Sequence, residues 1–270
     1  MVECLRGKRK EAHVSARVLD QFKLDGKNAL VTGGAGDLGQ AIVQALAEAG
    51  ARVVIVDRND NCCSLADSFK ADGLAVSALK CDVRDRLQIK GTFTEALESM
   101  GGTIDILVNC AGIQIRHPSE LFPEEDWDAV LEVNLNATFI FSQLAAKGML
   151  ERGTGKIINV ASVMSFFGGV TIPAYAASKG GVAQLTKALS NDWAPKGICV
   201  NAIAPGYMDT QMNTALSPDT SRYAEIMTRI PAGRWGDGDD LKGLIVFLAS
   251  TASDYMTGAV IPIDGGYSCR

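Results

Sequence analysis

Tyr175 and Lys179 stand four residues apart in the pentapeptide YAASK, a spacing that puts both side chains on one face of a helix. A tyrosine titrates near pH ~10 in unstructured peptides, so it serves as a base near neutrality only where something favours phenolate. The ammonium of Lys179 is placed to do that. Ser162 lies thirteen residues before Tyr175, just after the apolar run KIINVA, and offers a hydroxyl to a substrate oxygen. Asn134, in EVNLNA, falls inside a helical stretch, a position that suits asparagine only when its amide bonds something particular. A tyrosine and lysine at this spacing are more often an exposed pair than a catalytic one. The weight comes from four elements converging beside a nucleotide loop, and the chemistry they suggest is proton transfer at a hydroxyl or carbonyl.

The nucleotide loop is VTGGAGDLGQ at 31–40. Gly33, Gly34, Ala35 and Gly36 follow a strand pattern, and Leu38 and Gly39 open a helix whose free N–H groups and positive dipole end suit a pyrophosphate. Asp37 is out of keeping, because a carboxylate ~4 Å from a phosphate oxygen costs about 4 kcal/mol at an effective dielectric of about 20. It is therefore expected to cap the helix or to point into solvent, leaving the loop N–H groups for phosphates. Asp57 ends the next strand, eighteen residues after Gly39, where a carboxylate accepts hydrogen bonds from ribose hydroxyls. A 2′-phosphate there would meet a like charge, which favours NAD over NADP, although the adjacent Arg58 could lean onto such a phosphate. Further on, Asp82 closes the third strand and, with Val83, is placed to contact adenine. Asn109, Cys110, Ala111 and Gly112 close the fourth strand, where small residues let backbone approach a flat ring.

The elements that must position these groups are legible as alternating patterns. Apolar, β-branched runs fall at 28–32, 52–57, 75–82, 104–109, 156–161, 199–203 and 259–263, and helical periodicity falls at 38–49, 62–71, 85–100, 124–150, 174–194 and 240–250. This alternation predicts a single-domain, doubly wound, seven-stranded parallel sheet of Rossmann type, with ligands at the carboxyl ends of the strands. Residues 1–21 read as an N-terminal extension and 22–270 as the catalytic domain. One long irregular connection, from Pro205 to about Asp239, reads as a lid over about 206–238.

Composition narrows the function. Of 270 residues 47% are hydrophobic, the net charge is -5, and the pI is near 5.2. An acidic balance gives no support to nucleic-acid binding through a basic surface. No run of eighteen or more uncharged apolar residues marks a membrane span. The N-terminus is too polar for a secretory signal, and its acidic residues argue against an organelle presequence. Seven scattered cysteines, with no C-x-x-C pair and only two histidines, make neither a zinc site nor a disulfide framework. Reduced thiols in the cytoplasm are the expectation, and no metal is called for.

TGGAGDLG at 32–39, Asp57, NCAG at 109–112, Asn134, Ser162 with YAASK, and PGYMDT at 205–210 resemble the short-chain dehydrogenase/reductase family over about residues 22–270. The resemblance implies that Tyr175 is the general acid/base and that Lys179 lowers its pKa and holds the nicotinamide ribose. It also implies that Ser162 orients the substrate oxygen and that Asn134 positions a water in a proton relay. Pro205 and Gly206 would bind the cofactor, and Thr210 would bond the nicotinamide carboxamide. A homotetramer is implied too, and apolar residues on several faces of the two long helices (Phe139, Phe141, Leu144; Leu185, Leu189, Trp193) agree with it. The sequence departs from the family pattern at Cys110, where asparagine is usual, and at Asp37, where glycine or alanine is usual.

AGIQIRHP at 111–118, SFFGG at 165–169, RIPAGRWG at 229–236 and the C-terminal DGGYSCR are similar to the sugar-acid branch, the gluconate 5-dehydrogenases and 2-deoxy-gluconate 3-dehydrogenases. A sugar acid needs a cation and polar groups near the hydride donor. Arg116 and Gln114 could supply them, with Met164 and Tyr207 as further substrate contacts, while His117 reads as a surface residue. Met164, Phe166, Phe167, Tyr207, Met208 and Met212 open a second reading, a ketoreductase of a bulkier, more apolar ketone. A third is an NAD-binding sensor without catalysis, against which the intact Ser162, Tyr175 and Lys179 argue.

Overall fold

The computed structural model describes residues 17–212 and 220–269. Seven strands form one parallel sheet: β1 (Asn28–Thr32), β2 (Arg52–Asp57), β3 (Val76–Lys80), β4 (Ile106–Asn109), β5 (Gly155–Val160), β6 (Ile198–Pro205) and β7 (Val260–Ile263). Their order is β3-β2-β1-β4-β5-β6-β7. Winding reverses between β1 and β4, so their carboxyl ends open the crevice where such sheets take ligands.

The strands are nearly continuous aliphatic runs because both faces are covered. Helices α1 (Asp37–Glu48), α2 (Cys62–Ala71) and α8 (Asp239–Ala249) cover one face with a core that includes Ile42, Leu46, Val53, Ile55 and Leu248. Helices α3 (Arg86–Ser99), α4 (Glu124–Leu131), α5 (Ala137–Arg152) and α6 (Pro173–Trp193) lie towards the other, where Leu30, Leu107, Phe141, Met149 and Ile157 pack. Local chemistry sets several boundaries. Asp85 caps α3 by accepting from the N–H groups of Leu87 and Gln88, Pro173 opens α6, and Gly153 ends α5 in the left-handed conformation at φ 68°.

Two departures from the sequence reading bear on the site. The helix expected over 124–150 is interrupted by a π-helical turn, Glu132–Asn136, and such wide turns often sit at functional positions. The segment read as irregular contains a helix, α7 (Thr220–Arg229). Ile226 and Ile230, one turn apart, are buried there in a small cluster with Tyr267. The start of the lid thus falls within the described residues, while 213–219 lie outside them. Residues 1–16 of the expected extension also lie outside them, but Val18–Phe22 form a 3-10 turn whose Gln21 carbonyl accepts from the Thr251 hydroxyl. The helix Glu124–Arg152 is long and apolar enough to cross a bilayer by composition, and half of its apolar eighteen-residue window is buried in the protein. Its apolar character is that of a core element.

Candidate active site

A cleft of about 870 Å³ opens at the carboxyl ends of the strands. Gly33 turns the chain out of β1 at φ 68°, and a Cβ there would fall 2.6 Å from the Ala111 Cα. A Cβ at Gly39 would collide with the Gly33 carbonyl oxygen, so the loop is closed against itself and against the chain leaving β4. Helix α1 begins with Gly36 as N-cap and has no side-chain cap, which leaves first-turn N–H groups directed at the cleft. An uncapped helix start, a loop with no room for side chains and an elongated cleft together fit a dinucleotide.

Asp37 is not the N-cap. It is the first helical residue, exposed, and its Oδ2 accepts from the Gln211 backbone N–H at 2.7 Å. The carboxylate thus turns towards the lid segment, because the Gly36 backbone already makes the helix entry. Asp57 receives two backbone N–H groups, Ala35 at 2.9 Å on one oxygen and Asn59 at 2.9 Å on the other. It pins the glycine loop to the end of β2 and still has lone pairs to offer. Asp82 lies two residues beyond β3 rather than closing it, and its carboxylate is forked by Arg84, which holds it below the usual carboxylate range.

Gly33, Gly36, Asp37, Leu38, Gly39, Asp57, Asp82, Val83, Ala111, Gly112, Pro205, Gly206 and Thr210 all line this cleft, with Ser162, Tyr175 and Lys179 at its inner end. Asn109 does not. It is buried under the sheet's end, where its amide donates to Ser142 Oγ at 3.0 Å and to Asn159 Oδ1 at 2.8 Å. Its side chain faces α5 and β5, since strand alternation turns it away from the cleft.

Lys179 is 4% exposed, donates to the Val160 carbonyl at 2.6 Å, and lies 5.7 Å from the Tyr175 ring centroid. Burial pulls its ammonium down to about 8. Burial also pushes Tyr175 above its ordinary value, opposed by a hydrogen bond with Ser162 and by the charge of Arg116. In the chain alone the Ser162 hydroxyl and Arg116 favour phenolate, and the Lys179 ammonium lies over the same ring. Burial holds the Cys110 thiol at about 11, which keeps it protonated beside Lys179.

Asn134 sits in the π turn, fully buried. Its Oδ1 accepts from the Ile113 N–H at 2.9 Å, and its Nδ2 donates to the Ile113 carbonyl and to Ser178 Oγ, both at 3.0 Å. That bonding accounts for an asparagine mid-helix. It clamps the loop after β4 against α6, so that Asn134 Oδ1 and Lys179 Nζ flank Gly112.

A second recess, about 70 Å³, adjoins the catalytic hydroxyls and brings together all four expected substrate residues, Gln114, Arg116, Met164 and Tyr207. With its amide turned to satisfy its bonding, Gln114 accepts from Arg116 Nε at 3.3 Å and Nη2 at 2.5 Å. Val163, Val170 and Ile172 supply the apolar wall. Of the residues that suggested a bulkier pocket, Phe166 is exposed and Phe167 packs against the Tyr267 cluster. His117 turns away to Asp126, 2.7 Å from its Nε2.

The sequence reading missed Arg222, which lines the recess from α7. Arg222, Ile226 and Ile230 recur every four residues, and that spacing was the available signal. It was hidden in a segment read as loop.

The family model described as "Enoyl-(Acyl carrier protein) reductase" matches residues 33–268. The 2-dehydro-3-deoxy-D-gluconate 5-dehydrogenase of Bacillus subtilis is 48% identical over 93% of this chain and 98% of its own. The gluconate 5-dehydrogenase of Gluconobacter oxydans is 43% identical over 92% and 96%. Among solved structures, a gluconate 5-dehydrogenase from Burkholderia cenocepacia in complex with NADP and tartrate superposes with a TM-score of 0.90. It is 44% identical, over 94% of this chain and 100% of its own. Sheet order, cleft and relatives converge: the chain is an NAD(P)-dependent oxidoreductase and belongs to the short-chain dehydrogenase/reductase family.

Proposed function

We propose that the protein interconverts a secondary alcohol and a ketone on a sugar acid of the gluconate type. The observation that carries this is the Gln114–Arg116 pair in a small recess shared with Ser162 and Tyr175. A cation beside the proton-transfer groups suits a small acid. The similar Bacillus and Gluconobacter proteins are named for such substrates.

The bound dinucleotide supplies the hydride donor or acceptor at the nicotinamide C4. Tyr175 moves the hydroxyl proton, and Ser162, hydrogen-bonded to it, orients the substrate oxygen. Lys179 would hold the nicotinamide ribose and Thr210 the carboxamide, both lining the cleft. Asn134 fixes the backbone under both. For the coenzyme, Asp57 favours NAD by like-charge repulsion of a 2′-phosphate, and Arg58, on the same cleft wall, offsets it. The Burkholderia relative holds NADP. We infer use of both coenzymes, in a cytoplasmic homotetramer.

The test is a panel of keto-sugar acids, neutral ketoses and apolar ketones, run with NADH and NADPH. Highest specificity constants on the acids are expected, and Tyr175→Phe should lower turnover about 10²–10⁴-fold. No activity on any sugar acid overturns the substrate; unchanged turnover in Tyr175→Phe overturns the mechanism.

A further inference from the structure

Among the described residues, Thr171 is the one non-glycine position with a positive φ, at 62°. A left-handed backbone crowds Cβ against the following carbonyl, and a β-branched side chain bears that least well. Such a conformation persists only where the surroundings impose it, and such positions gather at ligand clamps and active sites. The neighbours of Thr171 place it at one. Val170 and Ile172, on either side, line the small recess beside the catalytic hydroxyls, and α6, which carries Tyr175 and Lys179, starts two residues on at Pro173.

Both sides of the turn are constrained. Pro173 disfavours helical backbone at the residue before it, and Ile172 stands outside the helical region at φ -132° and ψ 47°. Ile172 is buried with Val163 and Met164 in a cluster that Tyr175 packs against. A Cβ at Gly169 would fall 2.4 Å from the Ile172 Cδ1, so the chain before the turn lies directly on the side chain after it. The change of direction falls on Val170 and Thr171. Across the recess wall, the Thr171 carbonyl accepts the His117 N–H at 3.1 Å. His117 is itself anchored: its Nε2 lies 2.7 Å from Asp126 Oδ2 on α4, and its ring meets the Phe122 ring edge-on at 5.2 Å. His117 directly follows Arg116 and stands three residues past Gln114, both of which line the recess. One backbone hydrogen bond therefore joins the segment that brings the polar groups to the segment that brings the apolar wall, and the second segment runs straight into the helix of Tyr175.

We propose that Thr171 is a positioning residue for the substrate: held left-handed by the His117 N–H, it clasps the Arg116 loop to the chain entering α6 and fixes the span of the recess. This rests on the reading of the recess as the place where the sugar acid binds. It also gives His117, whose ring turns away to Asp126, a part in the site through its backbone.

The experiment compares the parent protein with Thr171→Gly and Thr171→Asn. Glycine takes the left-handed conformation without strain but takes the others as readily, so it loosens the clasp while the fold can still form. Asparagine tolerates left-handed backbone better than most residues and stays confined there. The measurements are KM and kcat for 5-keto-D-gluconate and for cyclohexanone, the KM for NADPH, the thermal midpoint, and deuterium exchange at the His117 amide. In Thr171→Gly the KM for the acid should rise about fivefold or more, with kcat within about threefold of the parent and the NADPH KM within about twofold, since only the substrate's seat is slackened. The His117 amide should exchange about tenfold faster, because its acceptor is no longer held in place. Thr171→Asn should recover most of both changes. A parent-like KM and a parent-like His117 exchange in Thr171→Gly overturn the clasp. A merely structural role would instead lower the thermal midpoint and weaken acid and NADPH alike in both variants, which overturns it too. A parent inactive on the acid yet active on cyclohexanone removes the sugar-acid reading, and the clasp then stands or falls on the KM for that ketone and on the His117 exchange.

Discussion

Tyr175 and Lys179 both line the cleft, and burial acts on the two in opposite directions. Burial disfavours the charged form of each, so the phenol is held above its value of 10.0 and the ammonium drawn to about 8. At neutral pH the unliganded site therefore holds a neutral phenol ready to donate a proton, which serves ketone reduction directly. Alcohol oxidation needs the phenolate, a minor species until the pH approaches the raised value. The expected outcome is a kcat/KM for oxidation that climbs with pH between 7 and 9, by up to about tenfold per unit at the limit, while that for reduction stays level through neutrality. A flat oxidation profile across that interval would assign the proton to another group. Asn134 and Asp37 make a second point at this scale. The first was expected to bond something particular and does so, to Ile113 and Ser178. The second was expected to cap α1 or to point into solvent; it is exposed and accepts from the Gln211 N–H rather than capping. A short polar side chain reports that it needs a partner, but which partner lies within reach is a tertiary fact.

At the scale of elements, the glycine loop and the lid meet at that same carboxylate. Asp37 opens α1 and Gln211 lies six residues after β6, so one hydrogen bond ties the glycine-loop corner to the segment that follows β6. A charged acceptor contributes about 1.5–3 kcal/mol to a hydrogen bond in a sheltered site, and exposure discounts it to roughly a third of that. Asp37→Ala should then raise the KM of coenzyme or substrate about two- to fivefold, and Asp37→Asn, which keeps an acceptor, should stay close to the parent. A hundredfold gain in coenzyme affinity on Asp37→Gly would show repulsion of phosphate instead, and would displace this account. The π turn shows why element boundaries resist a sequence reading. Helical periodicity runs through 124–150 without a break, and periodicity alone cannot mark where one extra residue enters a helical turn.

For the whole molecule, the long helices divide their apolar residues between core and surface. Phe141 and Leu189 are buried under the sheet, while Phe139 is 40% exposed and Trp127 37% exposed along the same outer helices. Apolar side chains left at the surface of an otherwise well-buried fold are the natural material of a subunit contact. Light scattering of the purified protein should give four times the chain mass of 28.6 kDa. A monomer at micromolar concentration would count against the tetramer. All six described cysteines are free thiols, Cys62 and Cys81 among the buried ones, so no disulfide crosslinks the core among the described residues.

The alternation of aliphatic runs and helical periods determined the layers, and the spacing of Tyr175, Lys179, Ser162 and the glycines placed them together at one cleft, because helix and strand geometry turn short-range spacing directly into shared faces. Tertiary structure alone decided that Asn109 leaves the cleft, that Asp37 reaches the lid, and that Arg222 lines the same recess as Arg116. Each of those depends on a contact between residues remote in the chain, set by how elements pack rather than by any local pattern.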